Sequence, residues 1–156
     1  MKEFQNKVFI ALGSNIGDGP LNIKKALGAL ETFGKIEKIS DVYKTKPEGF
    51  KDQADFFNAG VLLYTDLEPR ALLLKLKEIE KEMGRVKNFK DGPRLIDLDL
   101  IFYNDLVLES ADLSIPHKMA DKRWFVLRPL ADIDSRMIHP VLNKSVGQML
   151  KDIENK

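Results

Sequence analysis

The sequence contains no cysteine among its 156 residues, so it excludes disulfide bonds and thiolate metal sites and permits a reducing compartment. Neither sign of charge is in excess, because 25 lysines and arginines balance 24 aspartates and glutamates and leave a net charge of +1. That balance gives no general attraction to nucleic acid or to an acidic membrane surface. The opening segment, MKEFQNKVFIALGSN, turns polar too soon for a signal peptide or a membrane span. We therefore expect a cytoplasmic protein that binds neither nucleic acid nor membranes.

The common nucleotide-binding motifs are also missing. No G-x-x-x-x-G-K-[ST] occurs, and the glycines of GSNIGDG (13–19) do not match the dinucleotide fingerprint. A role for this loop in binding phosphate stays open. The pattern favours a strand-to-helix turn that needs flexible glycine.

What is present is the composition of a globular domain. Hydrophobic residues make up 44% and charged residues 31%, and the length suffices for a real core, so we predict a single domain over residues 1–156. Apolar patterns predict strands over 8–12, 35–44 and 58–64, and helices over 21–33, 122–131 and 145–153. A further helix begins between Asp66 and Pro69 and ends at Gly84. Along the chain the order is strand, helix, strand, strand, helix, strand. It predicts an α+β sandwich of the ferredoxin-like kind, with a mainly antiparallel sheet and helices packed on it.

The most strand-like segment, GPRLIDLDLIFY (92–103), carries two carboxylates. One face of the predicted strand is apolar and consists of Ile96, Leu98, Leu100 and Phe102. The other face begins with Asp97 and Asp99 and continues with Ile101 and Tyr103. Side chains two apart on a strand share a face, with their Cα atoms about 6.5 Å apart. Two carboxylates held so close repel each other unless a cation lies between them.

Magnesium ions would relieve that repulsion. Mg²⁺ binds carboxylate oxygens and keeps room for water and phosphate oxygens, and two such ions bridged by one carboxylate pair serve in phosphoryl and nucleotidyl transfer. The preceding loop adds cations that suit a polyphosphate, namely Arg85, Lys87, Lys90 and Arg94. Two ordinary alternatives remain: an edge strand protected by inward charges, and a loop of solvated cations.

These motifs resemble one family along nearly the whole chain. The segments that carry the resemblance are ALGSNIGD, TKPEG, DFFNAGV, GPRLIDLDLIFY, SIPHKMADKRWFVLRPL and IHP. They resemble the 6-hydroxymethyl-7,8-dihydropterin pyrophosphokinases of folate biosynthesis. The resemblance implies that ATP donates its β,γ-pyrophosphoryl group to the hydroxymethyl oxygen of the reduced pterin and that AMP leaves. It also implies that Asp97 and Asp99 hold two Mg²⁺ ions along the triphosphate.

The resemblance also assigns residues to the two substrates. For the pterin it implies that Phe56 and Phe125 sandwich the ring, while Asn58 reads its hydrogen-bonding edge and Thr45 contacts it. For ATP it implies contacts from Glu80, Arg85, Arg94, His117 and Arg123, with Arg85 and Arg94 neutralising the triphosphate during transfer. Taken alone, these residue types have ordinary alternatives. Phenylalanine packs in cores, asparagine ends strands, a helix glutamate pairs on the surface and a lone histidine is structural.

The chain departs from the family's pattern in two loops. Its basic loop (85–91) is about one residue shorter than in the family, where it closes over the substrates. Asp91 takes the place of a tryptophan there, and an acid at that position would repel phosphate unless it turned outward. Lys46 and Glu48 replace apolar or proline positions of the pterin loop, so we expect an altered affinity for pterin.

Two other functions fit some of the residues. The first is a two-metal nuclease or nucleotidyltransferase, which the near-neutral charge disfavours for long nucleic acids. The second is an RNA-binding module that uses an open sheet face, but the aromatic and basic signature of such modules is absent. We expect a monomer whose partners are the two small substrates, ATP and 6-hydroxymethyl-7,8-dihydropterin. His139, which precedes a proline, is expected to be structural.

Overall fold

The computed structural model describes residues 4–84, 89 and 91–156. The longer strands are β1 (Asn6–Ser14), β2 (Gly34–Ile39), β4 (Phe56–Thr65) and β5 (Asp97–Tyr103), and the short ones are β3 (Tyr43–Thr45), β6 (Leu108–Glu109) and β7 (Ser114–Ile115). The helices are α1 (Gly19–Leu30), α2 (Pro69–Glu82), α3 (Trp124–Asp134) and α4 (Val146–Glu154). Across these residues no helix combines the length and apolarity needed to cross a bilayer.

The strands form an antiparallel sheet in the order β2-β4-β1-β5, and β3 joins it by pairing with β4. Helix α1 connects β1 to β2 across β4, and α2 connects β4 to β5 across β1. Two such split βαβ units make a ferredoxin-like fold. The predicted α+β class is therefore confirmed. Strands β6 and β7 form a separate two-stranded sheet.

Local sequence explains how the helices start and which side they bury. Asp18 caps α1, because its Oδ1 accepts a hydrogen bond from the amide of Leu21 (3.1 Å). Both α1 and α2 carry proline in the first turn, where a missing N–H costs nothing. Apolar residues then recur every three or four positions and face the sheet. The buried ones are Ile23, Ala26, Leu30, Leu72, Leu76 and Ile79.

Helices cover both faces of the sheet. On the α1 face, α1 and α2 pack over a core that includes Val8, Ile10, Leu63, Leu98 and Leu100. On the α3 face, α3 packs on β4 and β1 and α4 packs on α3, around a core that includes Phe9, Leu62, Ile101, Leu127 and Leu130. The open sheet face expected for an RNA-binding module is therefore wrong, because the apolar side chains on that side need a covering layer.

Two side-chain directions predicted for β5 are also wrong. The register with β1 shifts between Phe9 and Ile10, so Ile101 is the extra residue of a β-bulge. The alternation of side chains reverses after the bulge. Phe102 consequently packs on the α3 face, and Tyr103 packs on the α1 face.

The strand predicted over 35–44 is two strands. Ser40 interrupts it by bonding to Gly60 of β4 in both directions. The amide of Ser40 donates to the Gly60 carbonyl (2.9 Å), and the amide of Gly60 donates to Ser40 Oγ (2.7 Å). A serine side chain that replaces a ladder bond redirects the chain. As a result β3 lies beside the first residues of β4, with Tyr43 opposite Asn58.

His139 lies buried at the α3-face core and holds a turn. Its Nδ1 accepts hydrogen bonds from the amides of Val141 (3.2 Å) and Leu142 (3.1 Å), and its ring packs edge-on against Phe102. Burial lowers the pKa of His139 from its ordinary value of 6.5, and the charge of Asp121 opposes this effect. The folded protein therefore favours the neutral ring.

We expect the free energy of unfolding to fall as the pH drops below 6.5, and part of this fall to come from His139. The sign follows because the unfolded chain takes up a proton there that the folded chain resists. Denaturant titrations between about pH 8 and about pH 5 measure it. His139→Asn keeps an acceptor at the position of Nδ1 but cannot titrate, so its profile should be shallower. His117 acts with the same sign, so the difference between wild type and variant is the relevant quantity. Identical pH slopes would contradict the prediction.

Candidate active site

One cavity brings together most of the side chains selected from the sequence. Its volume is about 200 Å³, and it lies on the α3 face between β1, β4, β5 and the start of α3. Strand β1 contributes Leu12 and two small residues, Ala11 and Gly13. The predicted site residues on its wall are Thr45, Phe56, Asn58, Arg94, Asp97, Asp99, Arg123 and Phe125.

The strand register explains why distant residues meet there. Gly13 pairs with Asn58 of β4 on one side and with Asp97 of β5 on the other. Residues opposite each other in antiparallel strands share a face, so the amide and the carboxylate stand on the same side of the sheet, with strand axes about 10 Å apart. A Cβ at Gly13 would lie 3.4 Å from Asn58 Oδ1 and 3.7 Å from Cδ1 of Phe56. Glycine therefore leaves space between the two polar groups.

Asp97 and Asp99 flank the buried Leu98 and are both half-buried at the cavity wall. Asp97 Oδ1 lies 3.7 Å from Nε of Arg94. No third acidic or histidine side chain completes a metal-binding cluster within the residues described. Two carboxylates do not suffice for structural zinc, which needs four protein ligands. They do fit Mg²⁺, which takes its other ligands from water and phosphate oxygens.

Asn58 is buried, and β3 holds its amide in place. Nδ2 of Asn58 donates to Thr45 Oγ1 (2.7 Å) and to the Tyr43 carbonyl (3.4 Å). Phe56 lines the cavity from β4, and Phe125 lines it from α3. A fixed amide near two aromatic rings suits a flat heteroaromatic molecule with donors and acceptors on its edge.

The two arginines on the cavity wall each contact an acid. Arg94 contacts Asp97, as described above. Arg123, the residue before α3, has its Nε 3.3 Å from Glu48 Oε1 and its guanidinium 5.5 Å from the ring centre of Phe125. Guanidinium groups suit phosphate oxygens. The other predicted cations of the site, Arg85, Lys87 and Lys90, lie outside the described residues.

Glu80 does not line the cavity. Its side chain is buried below α2, and Oε2 accepts a hydrogen bond from the amide of Leu98 (2.8 Å). Its other oxygen lies 3.7 Å from Nζ of Lys77. Strand β5 lies at the edge of the sheet, where backbone amides lack a neighbouring strand. The Glu80 carboxylate binds one of these amides, that of Leu98, which lies between Asp97 and Asp99. The structure thus places Glu80 behind the metal-binding candidates.

His117 lies at the same edge and also stands apart from the cavity wall. Its amide donates to the Ile101 carbonyl (3.0 Å), which anchors it to β5. Its Nδ1 accepts from the Met119 amide (3.1 Å), so the neutral ring carries its proton on Nε2. Burial is the main cause that lowers the pKa of His117, and the charge of nearby Asp99 opposes it.

Sequence reasoning missed a polar network centred on Asn15. Its side chain accepts from the Arg94 amide (2.7 Å) and donates to Gln53 Oε1 (2.8 Å) and the Ala54 carbonyl (2.9 Å). Gln53 in turn donates to the Asp91 carbonyl (2.6 Å). Three loops beside the cavity are therefore tied together. Asparagine after a strand often bonds to the backbone, but its partners here are distant in sequence.

Comparison with known proteins decides the family. The profile of 7,8-dihydro-6-hydroxymethylpterin-pyrophosphokinase (HPPK) matches residues 9–135. The chain belongs to this family. The resemblance seen in the sequence is thereby confirmed.

Two bacterial relatives match this chain over most of their own length. Both are named 2-amino-4-hydroxy-6-hydroxymethyldihydropteridine pyrophosphokinase. The protein of Aquifex aeolicus is 46% identical over 141 residues, which cover 90% of this chain and 88% of the relative. The protein of Bacillus subtilis is 41% identical over 130 residues, which cover 82% of this chain and 78% of the relative.

Other relatives in the family are much longer. The Folic acid synthesis protein FOL1 of Dictyostelium discoideum is 41% identical over 150 residues, and the match covers 96% of this chain but only 23% of that protein. The crystal structure of a Plasmodium falciparum HPPK-DHPS triple mutant with STZ-DHP superposes with a TM-score of 0.79 at 18% identity. It covers 97% of this chain and 44% of the Plasmodium chain. At that identity the likeness supports the fold.

Proposed function

We propose that this chain transfers pyrophosphate from ATP to the hydroxymethyl group of 6-hydroxymethyl-7,8-dihydropterin and releases AMP, a step of folate biosynthesis. The observation that carries the proposal is the row formed by Asn58, Gly13 and Asp97 across three strands. In this row an amide suited to a heteroaromatic ring and a carboxylate suited to a metal ion lie on one face of the sheet, with strand β1 between them. Family membership supports the same reaction.

The pterin end of the cavity consists of Asn58, Thr45 and the two phenylalanines. The bond from Nδ2 to Thr45 Oγ1 fixes the direction of the amide before a ligand arrives, which lowers the entropy lost on binding. Phe56 and Phe125 would hold the ring by stacking. Held in this way, the hydroxymethyl oxygen would lie toward the carboxylate end of the cavity.

At the phosphate end, Asp97 and Asp99 would hold two Mg²⁺ ions. Mg²⁺ bound there would neutralise the triphosphate and acidify a bound alcohol. Arg94 and Arg123 would orient phosphate oxygens by charge-assisted hydrogen bonds. His117 would offer its Nε2–H as a donor near Asp99, while Glu80 would act through the strand. The hydroxymethyl group would then lose its proton to solvent as its oxygen bonds to the β-phosphorus, and the bond between that phosphorus and the bridging oxygen of AMP would break. Alignment would supply much of the rate.

The residues proposed to contact the pterin, Asp97, Asp99, Arg94 and Arg123 all line one cavity of a single chain, so the proposal needs no second copy. We therefore propose a monomer with two small substrates and no nucleic-acid partner. The absence of cysteine suits a reducing cytoplasm. We also propose that residues 1–156 act as one domain.

Nucleotide analysis tests the function directly. We expect AMP to appear when the protein is incubated with ATP, Mg²⁺ and 6-hydroxymethyl-7,8-dihydropterin, and not when the pterin is left out. The pterin product should gain two phosphates by mass. Formation of ADP would mean ordinary kinase chemistry, and no turnover with any order of addition would refute the proposal. EDTA should stop the reaction, and added Mg²⁺ should restore it.

A further inference from the structure

The ion pair between Glu48 and Arg123 lies on the wall of the cavity. Glu48 belongs to the loop after β3, and Arg123 precedes α3, so the pair joins two elements that both line the cavity. Glu48 Oε1 lies 3.3 Å from Arg123 Nε. The glutamate side chain is 55% exposed and the arginine side chain only 23%. The exposed carboxylate of Glu48 therefore contacts the mostly buried guanidinium of Arg123.

The hydrogen-bonding capacity of Arg123 is not used up. Its Nε is buried and makes no hydrogen bond within the residues described, although the Glu48 carboxylate lies close to it. A buried donor without a hydrogen bond is unfavourable, and a well-placed anion would remove that penalty. The stack of the guanidinium near Phe125 limits where such an anion can bind. Arg123 could therefore release the Glu48 carboxylate and bind another anion in its place.

The charged residues of the cavity wall would act in opposite ways on an anion that enters the cavity. Glu48, Asp91, Asp97 and Asp99 all line the cavity with Lys46, Arg94 and Arg123. Metal ions would offset the charge of the aspartate pair, whereas the charge of Glu48 is offset by Arg123 itself. A triphosphate entering the cavity would be attracted by Arg123 and repelled by the carboxylate beside it.

Resting on the proposed function, we propose that Glu48 is a built-in competitor of the nucleotide. Its carboxylate holds Arg123 in the free enzyme and gives it up to a phosphate oxygen of ATP. Glu48 therefore weakens the binding of ATP, rather than setting the affinity for pterin that its position in the sequence suggests. It is a positioning residue, because it acts through Arg123.

The test compares Glu48→Gln with wild type in direct binding of MgATP by calorimetry, without pterin. We expect the Kd for MgATP to fall about three- to tenfold, because the variant loses both the competing pair and the repulsion. In steady-state assays the KM for ATP should fall likewise while the KM for pterin stays within about twofold. The difference between the two proteins should shrink at about 0.5 M salt.

Asp52→Asn is the matched control. It removes the same charge from the same loop, but Asp52 is exposed and does not line the cavity. We expect its Kd for MgATP to stay within about twofold of wild type. A spectroscopic readout completes the design: the ¹⁵N–¹H resonance of Arg123 Nε should shift in free Glu48→Gln, and MgATP should shift it in wild type.

Several results would overturn the proposal. They are an unchanged or higher Kd for MgATP in Glu48→Gln, an equal gain in Asp52→Asn, and a rise in the KM for pterin with no change for ATP. The binding experiment needs no turnover. A protein that binds MgATP as expected but forms no AMP would refute the proposed reaction and leave the effect of Glu48 measurable.

Discussion

Asp97→Asn should lower turnover on the order of a thousandfold or more while the protein stays folded. The substitution keeps the shape of the side chain and removes the charge that would hold Mg²⁺ against the triphosphate. Asp97 is half-buried at the cavity wall, and its pair with Arg94 spans 3.7 Å, so its removal should change the free energy of unfolding by only about 0.5 kcal/mol. Asp99→Asn should behave in the same way.

The measurement is the rate of AMP formation at saturating substrates, together with denaturant unfolding of each variant. Asp105→Asn is the control, because it makes the same change two residues after β5 at an exposed position. It should match wild type in both measurements. If Asp97→Asn turned over at near the parental rate, the assignment of the metal-binding pair would be wrong. Loss of activity together with loss of the fold would instead assign the carboxylate a structural role.

The elements of this fold were predictable wherever the signal is local. Pro69 and Gly84 bound α2 in the sequence, and the helix runs from Pro69 to Glu82. The alternation around Asp97 predicted β5 for the same reason. The reversal at Phe102 was not predictable, because a β-bulge depends on how β5 pairs with β1 and leaves no mark on its own residues.

The same distinction holds for the site. The sequence alone predicted that two carboxylates share a face, since that depends on spacing within one strand. It did not show that Asn58 stands in the same row as Asp97, because this requires the register of three strands through Gly13. The pair of Glu48 with Arg123 joins residues 75 positions apart, so spacing in the sequence could not predict this contact.

Glu80→Ala should destabilise the fold by about 2–3 kcal/mol and lower activity through β5. The carboxylate is 2% exposed and accepts from the Leu98 amide at 2.8 Å. Truncation would leave that edge N–H buried without its partner, since water reaches the site poorly. Leu98 lies between Asp97 and Asp99, so a strand edge that opens more often would also misplace the two carboxylates. Denaturant unfolding and the AMP assay measure the two effects.

Two variants separate this role from a contact with ATP. Glu78→Ala removes an exposed acid from the same helix, whose pair with Lys75 spans 3.5 Å, and should cost at most about 0.5 kcal/mol. Glu80→Gln keeps an acceptor oxygen for Leu98 and should recover part of the lost stability. If Glu80 instead bound the nucleotide, Glu80→Ala would raise the KM for ATP at unchanged stability. A fall in stability with an unchanged KM for ATP is the pattern that the burial of this carboxylate predicts, because its bond to the Leu98 amide holds the strand that carries Asp97 and Asp99.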